Sequence, residues 1–254
     1  MAEFDRQYQT AARTGADARA QTVDEGLRAF MLGIYNNMAM GLALTGIVAY
    51  GIFKLAVVEV GGQIVGVTAL GNILYNTPLQ WVVILAPLAF VFGLSAAVNR
   101  MQPGTARMVF LAFAAVMGLS LSSIFIVFTS ESIARTFFIT AAAFGALSLY
   151  GYTTKRDLTG WGSFLFMGLI GLLIAMIVSL FLASSALQFA ISAIGVLIFA
   201  GLTAYDTQRL KHTYDVVAGD QLAAGRASII GALKLYLDFI NLFMFLLQFL
   251  GNRN

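Results

Sequence analysis

Seven apolar stretches run through this chain, near Phe30–Phe53, Leu79–Val98, Met108–Phe128, Ile133–Tyr152, Trp161–Leu182, Leu187–Tyr205 and Ser228–Leu250. Each approaches the roughly 20 helical residues needed to cross about 30 Å of hydrocarbon. Inside lipid, backbone N–H and C=O groups must be satisfied by the protein itself, so such segments become helices or the strands of a closed barrel. Their fill is Leu, Ala, Phe, Ile and Gly, without the strict polar–apolar alternation of a barrel strand. The expected fold is an all-α integral membrane protein, a bundle of seven transmembrane helices in contact with a lipid bilayer. With 59% hydrophobic and 11% charged residues, the chain is far more apolar than a soluble domain.

Residues 1–28 are polar and lack the short apolar core and small-residue cleavage site of a secretory signal. They read as a cytoplasmic N-terminal tail, and residues 29–251 as one seven-helix transmembrane domain. Arg6, Arg13, Arg19 and Arg28 favour a cytoplasmic N-terminus, and alternation then places Arg100, Arg107, Lys155, Arg156, Arg209, Lys211 and Arg226 on the same side. Lys54, Arg135 and Arg253 fall opposite and Lys234 lies within a span. The positive-inside bias and the seven-span count therefore support one another, with the Asn252–Asn254 tail outside. Two longer loops are expected, at about Lys54–Thr77 and Thr207–Ala227.

Several chemistries are excluded or disfavoured by residue type. The pI near 9.3 is explained by basic residues spread over short cytoplasmic segments, so no nucleic-acid partner is inferred. Without cysteine there is no disulfide, thiolate nucleophile or cysteine metal site. His212, the one histidine, lies in a basic loop and reads as a solvated side chain. No GxGxxG or P-loop pattern is present, so no nucleotide cofactor is inferred. Glycines at small-residue spacings, Gly41 with Gly46 and Gly168 with Gly171, suit close helix packing.

Function is sought at Asp206 and Asp238, because carboxylates kept at membrane depth pair, bind an ion or move a proton. Lys234 and Asp238 are four apart and share a helical face, and Asn241 extends the polar stripe. If the last helix starts near Ser228, Asp238 lies roughly 15 Å in, close to mid-membrane, while Lys234 can snorkel toward the cytoplasm. The blander readings are an interhelical hydrogen-bond cluster around Asp238 and an i,i+3 pair of Asp206 with Arg209 at a solvated helix end. Lipid tolerates none of these charges, so the seventh helix should be surrounded by the other six. To bring the two carboxylates level, the sixth helix should run past Tyr205 to about His212.

Gly201-Leu-Thr-Ala-Tyr-Asp-Thr-Gln-Arg209, then Ala232-Leu-Lys-Leu-Tyr-Leu-Asp-Phe-Ile-Asn-Leu-Phe243, together with Gly118-Leu-Ser-Leu-Ser-Ser-Ile-Phe125, resemble the Bax inhibitor-1 family of transmembrane proteins in its bacterial branch. The likeness runs from about Asp24 onward. It implies a seven-helix bundle with the last helix central. It also implies a pH-sensitive aspartate latch, matched here by Asp206 and Asp238, on a calcium leak path, with calcium as transported ion and transient ligand rather than a permanent cofactor. Two carboxylates in hydrogen-bond range share one proton because ionising both costs too much, and they titrate as a pair. Singly protonated, the pair can bridge two helices; doubly ionised, it repels itself and offers the hard oxygens that calcium prefers. The family also carries a basic partner near the second span, for which Arg100 is the nearest match. The bacterial style of the motifs points to an inner membrane.

At one place the pattern breaks. The second span carries no acid where the family commonly has a glutamate, and Pro87 stands close to that position. Weaker, differently gated or absent conduction follows, which leaves room for a non-conducting regulator of other membrane proteins, such as a quality-control protease. An intramembrane aspartyl protease is a third class, suggested by Tyr205-Asp206. Its second motif, Gly-x-Gly-Asp, is replaced here by Leu235-Tyr236-Leu237-Asp238, so no enzyme is expected.

Overall fold

The structure, a computed structural model, describes residues 2–61, 63–182 and 184–254, with side chains described from Glu25 onward apart from Ser95 and Asn99. Among the described residues nine α-helices and a hairpin follow in chain order: α1 (Ala2–Ala56), β1 (Val57–Val60), β2 (Gln63–Val67), α2 (Ala69–Asn76), α3 (Leu79–Ala97), α4 (Pro103–Leu121), α5 (Ile124–Val127), α6 (Ser130–Thr153), α7 (Thr159–Ser179), α8 (Ser185–Val217) and α9 (Gln221–Leu250). Among the described residues six helices are long and apolar enough to cross a membrane, or seven if the bent pair α2–α3 is one span. Residues 2–28 of the polar stretch belong to α1, and the side chains up to Asp24 lie outside the described residues.

Local chemistry sets the breaks. Thr129, Ser184 and Asp220 each accept backbone N–H groups at the starts of α6, α8 and α9, supplying partners for amides that have none within the helix. Pro103 opens α4, where its missing N–H costs nothing.

Both loops expected from the sequence contain regular structure. The segment Lys54–Thr77 is an antiparallel hairpin followed by α2, turned at Gly61 with φ +62° and tied back by a Lys54–Glu59 ion pair. A 68° bend at Thr77-Pro78 then starts α3. Residues 207–217 are helical, as are residues 221–227, so the connection between α8 and α9 shrinks to Ala218–Asp220. Polar residues do not end a helix once it has left the bilayer; α8, with 33 residues, is about 50 Å long and exceeds any hydrocarbon thickness. The reading that α8 passes Tyr205 is met and exceeded.

α9 is the axis of the bundle. Of its most apolar stretch 72% is buried, against 11% for α7 and about a third or less for the other single spans. It packs against α1, α4, α6 and α8, while α3 rests on α4 and α7 on α8 as outer helices. Of the six neighbours expected, four pack extensively on α9, and α3 and α7 lie outside them. Tyr236 shows the quality of this cover. Its ring is fully buried, edge-on to Phe110 and Phe113, and its hydroxyl meets Thr45 Oγ1 at 2.7 Å.

The C-terminal tail is fastened rather than free. Asn254 donates through its backbone N–H to Val127 O at 3.0 Å and through Nδ2 to Phe128 O, while Asn252 N–H donates to Ser132 Oγ at 2.9 Å. Residues 252–254 therefore close the end of α9 onto the α5–α6 connection.

Close approach of α6 to α8 depends on Gly151, where a Cβ would lie 2.2 Å from Ala204 O. Of the glycines singled out from spacing, Gly41 faces Phe110 and Gly168 faces Ile198, whereas Gly46 and Gly171 face open space. Gly151→Ala is expected to lower stability in detergent by about 1–3 kcal/mol through overpacking. Gly145→Ala, on the same helix with nothing within 4 Å of its Cβ, gains up to about 1 kcal/mol of helix propensity. Equal melting temperatures for the two variants would contradict the packing described.

Candidate functional site

Consecutive residues on a helix point roughly 100° apart, so the four residues Tyr205-Asp206-Thr207-Gln208 address nearly the whole circumference of α8. Each meets a different neighbour. Tyr205 lies over Gly162 of α7, where a Cβ would come within 2.6 Å of the phenol. Asp206 accepts from Lys234 Nζ of α9 at 2.5 Å. Thr207 Oγ1 meets Ser148 Oγ of α6 at 3.0 Å, and Ser148 in turn meets Tyr35 OH of α1 at 2.5 Å. Gln208 grips the α6–α7 connection with both ends of its amide: Nε2 donates to Arg156 O at 2.7 Å and Oε1 accepts from Leu158 N–H at 2.8 Å.

Asp206 and Asp238 are both buried, 3% and 5% exposed, and are neighbours across the α8–α9 seam. They differ in their partners. Asp206 has the Lys234 ammonium; Asp238 lies against the Asp206 carboxylate with no donor of its own, so its Oδ2 is one of two buried side-chain polar atoms, with Thr136 Oγ1, that have no hydrogen-bond partner among the described residues while both acids are ionised. A buried polar atom left bare is costly, and such exceptions cluster where a structure does something other than hold itself together. Both carboxylates line one cavity of about 750 Å³ between α7, α8 and α9, with Asn241 on its wall. A second cavity of about 420 Å³, toward the α8–α9 turn, is lined by Asp206 but not by Asp238.

The sequence-selected residues thus converge with three changes. Lys234 bonds not to Asp238 on its own helix but across the seam to Asp206, because its long stem extends toward the end of the span while Asp238 sits one turn deeper. Arg209 is exposed and makes no ion pair with Asp206, although it lines both cavities. Arg100, in a 3-10 turn after α3, is exposed and lines neither cavity, so the structure does not bring it to the aspartates. Asn241 donates to Leu237 O at 2.8 Å within α9. His212 is exposed, 3.9 Å from Asp215. No group of three or more His, Cys, Asp or Glu that could hold a metal is found among the described residues.

The Tyr35–Ser148–Thr207 chain and the Gln208 clamp were missed from sequence. Four successive residues with hydrogen-bonding groups, at the end of a span, were the available signal: a helix polar all round at such depth must be enclosed all round.

The family described as Inhibitor of apoptosis-promoting Bax1 matches residues 27–254. The chain belongs to the Bax inhibitor-1 family. It is 49% identical to an uncharacterized protein of Caulobacter vibrioides over 99% of this chain and 98% of that one. It is 47% identical to the inner membrane protein YbhL of Escherichia coli, covering 90% of this chain and 93% of YbhL. An uncharacterized protein of Rickettsia prowazekii is 44% identical over 93% of this chain and 94% of its own length. This Bax inhibitor-1 family member is a multi-pass membrane protein, and its Tyr-Asp-Thr-Gln turn is the place where five structural elements meet.

The α6–α7 connection is held by Asp157 as well as Gln208. Its carboxylate accepts the Thr159 N–H at 2.8 Å, and hydrogen bonds from the Thr159 side chain and then its backbone hold it below the ordinary value of 3.8. A depressed folded value means that this contribution to stability is present above pH 3.8 and is lost as pH falls through the lower folded midpoint. NMR titration should place the Asp157 midpoint below 3.8, with Thr159→Val moving it back up. Gln208→Leu leaves Arg156 O and Leu158 N–H unpaired, an expected cost of about 1–3 kcal/mol for each group that stays buried. Faster amide exchange at Leu158 and a lower melting temperature should accompany it; unchanged exchange would show that water or another group replaces the clamp.

Proposed function

We propose that this protein is a pH-sensitive leak path for calcium or a similar cation through the bacterial inner membrane, gated by Asp206 and Asp238. The observation that carries this reading is the asymmetric carboxylate pair on one intramembrane cavity, Asp206 held by Lys234 and Asp238 bare at Oδ2. In the closed state the site is close to neutral when Asp238 keeps a proton and Lys234 balances Asp206. Loss of that proton leaves two carboxylates against one ammonium. The surplus negative charge repels across the α8–α9 seam and attracts a cation to hard oxygen ligands. Protonation then biases the populations of two arrangements of the same helices. Transport, not catalysis, is the activity assigned, with no permanently bound cofactor.

Orientation follows from charge. Arg107, Lys155, Arg156, Arg209, Lys211 and Arg226 lie at the end of the bundle that holds the α6–α7 and α8–α9 connections, and the positive-inside rule puts that end in the cytoplasm. The N-terminus is then cytoplasmic and the Asn252–Asn254 tail periplasmic. The name of YbhL supports an inner-membrane location.

One observation favours a second reading. α3 contains no acidic residue, and the carboxylates of the cavity number two, fewer than calcium sites commonly use. A non-conducting regulator that binds another membrane protein, such as a quality-control protease, is accordingly the alternative. Calcium flux into liposomes containing only this protein decides between the two. Flux should increase as pH rises. Asp206→Asn or Asp238→Asn should flatten that dependence, since Asn keeps hydrogen bonds but cannot ionise. The double variant should resemble the singles, because residues acting as one unit are not additive. Folded wild-type protein that passes no calcium at any pH would transfer the assignment to the regulator.

A further inference from the structure

Lys234 stands where the two cavities meet. The cavity near the α8–α9 turn and the deeper one that contains Asp238 share Asp206, Arg209 and Lys234 in their walls. Of these three, Arg209 is exposed, and Lys234 and Asp206 are bonded to each other across the seam. Thr213 and Arg226 line only the outer cavity, Leu237 and Asn241 only the inner one. The Lys234 side chain remains 40% exposed even while bonded to Asp206, so its head stays in reach of the outer cavity and is free to swing on a flexible four-carbon stem.

We propose that Lys234 is a tethered cation that guards the carboxylates of the inner cavity: that cavity also opens beside exposed Thr159 and Ser163 at the start of α7, and the ammonium occupies Asp206, bars the passage from the outer cavity and repels cations approaching Asp238. The proposal deepens the leak reading and rests on it for the identity of what passes. A compact ammonium with three donors is a steric stopper and an electrostatic one. It repels an arriving inorganic cation while it holds Asp206, and it yields when a divalent ion competes for the same carboxylate. A cation selected by this arrangement must therefore outbid an ammonium for Asp206. Lys234 is a positioning and selectivity residue here.

The chain has no cysteine, which permits a test of access that does not depend on conduction. Asn241→Cys places a single thiol in the inner cavity and Thr213→Cys one in the outer cavity, and each full-length protein is reconstituted in lipid nanodiscs. The probe is a small, water-soluble, positively charged methanethiosulfonate. Adding Lys234→Met should speed modification at position 241 by about tenfold or more, the population shift expected from losing a charge-assisted hydrogen bond, and should leave position 213 unchanged. Lys234→Arg should restore slow modification at 241. Asp206→Asn, which frees Lys234 without removing it, should also accelerate it, and serves if Lys234→Met does not fold. Unaltered modification at 241 in folded Lys234→Met and Asp206→Asn proteins would overturn the barrier. Calcium flux in liposomes separates the two claims: accelerated access with no flux in wild type or variant keeps the barrier and rejects the leak, whereas wild-type flux with unaltered access rejects the barrier alone.

Discussion

A carboxylate finds no partner in hydrocarbon, and the layout of this bundle follows from having two of them on adjacent helices. Asp206 and Asp238 must be covered by protein. Covering them makes α9 the axis, sets α1, α4, α6 and α8 around it, and leaves α3 and α7 outside with their apolar faces free for lipid. The Lys234–Asp206 bond then joins α8 to α9 across their seam.

The same interaction connects the site to the rest of the molecule. One turn of α8 binds α9 through Asp206, α6 through Thr207, the α6–α7 connection through Gln208, and faces α7 through Tyr205. Any movement that separates Asp206 from Lys234 must strain at least one of these contacts or carry the neighbouring element along. On the opposite side of α9, Tyr236 is wedged between Phe110 and Phe113 and bonded to Thr45, and the far end is tied by Asn252 and Asn254 to the α5–α6 connection. α9 is thus anchored on two sides, and the α7–α8 side, with its cavity of about 750 Å³, has room for change. Packed interiors respond by switching between discrete arrangements.

In this Bax inhibitor-1 family member α3 carries no acid and Arg100 is exposed and away from the aspartates, so the counter-charge of Asp206 comes from α9. Lys234 supplies it from the same helix as Asp238, one turn nearer the basic end.

The amino-acid sequence by itself determined the class of fold, six or seven spans and the two carboxylates, because hydrocarbon thickness sets the length of an apolar run and membrane depth makes each acid conspicuous. It did not determine where helices ended outside the bilayer: the polar residues of 207–217 suit a loop and a solvated helix equally, and only packing against α9 and the capping of α9 by Asp220 made the connection three residues long. Nor did it determine partners. Spacing put Lys234 beside Asp238 and Arg209 beside Asp206, whereas the tertiary structure joined Lys234 to Asp206 and left Asp238 Oδ2 bare. Helical periodicity says which side chains share a face, but a charge on a long stem chooses among all acids within reach, and that reach is decided when α8 and α9 come together.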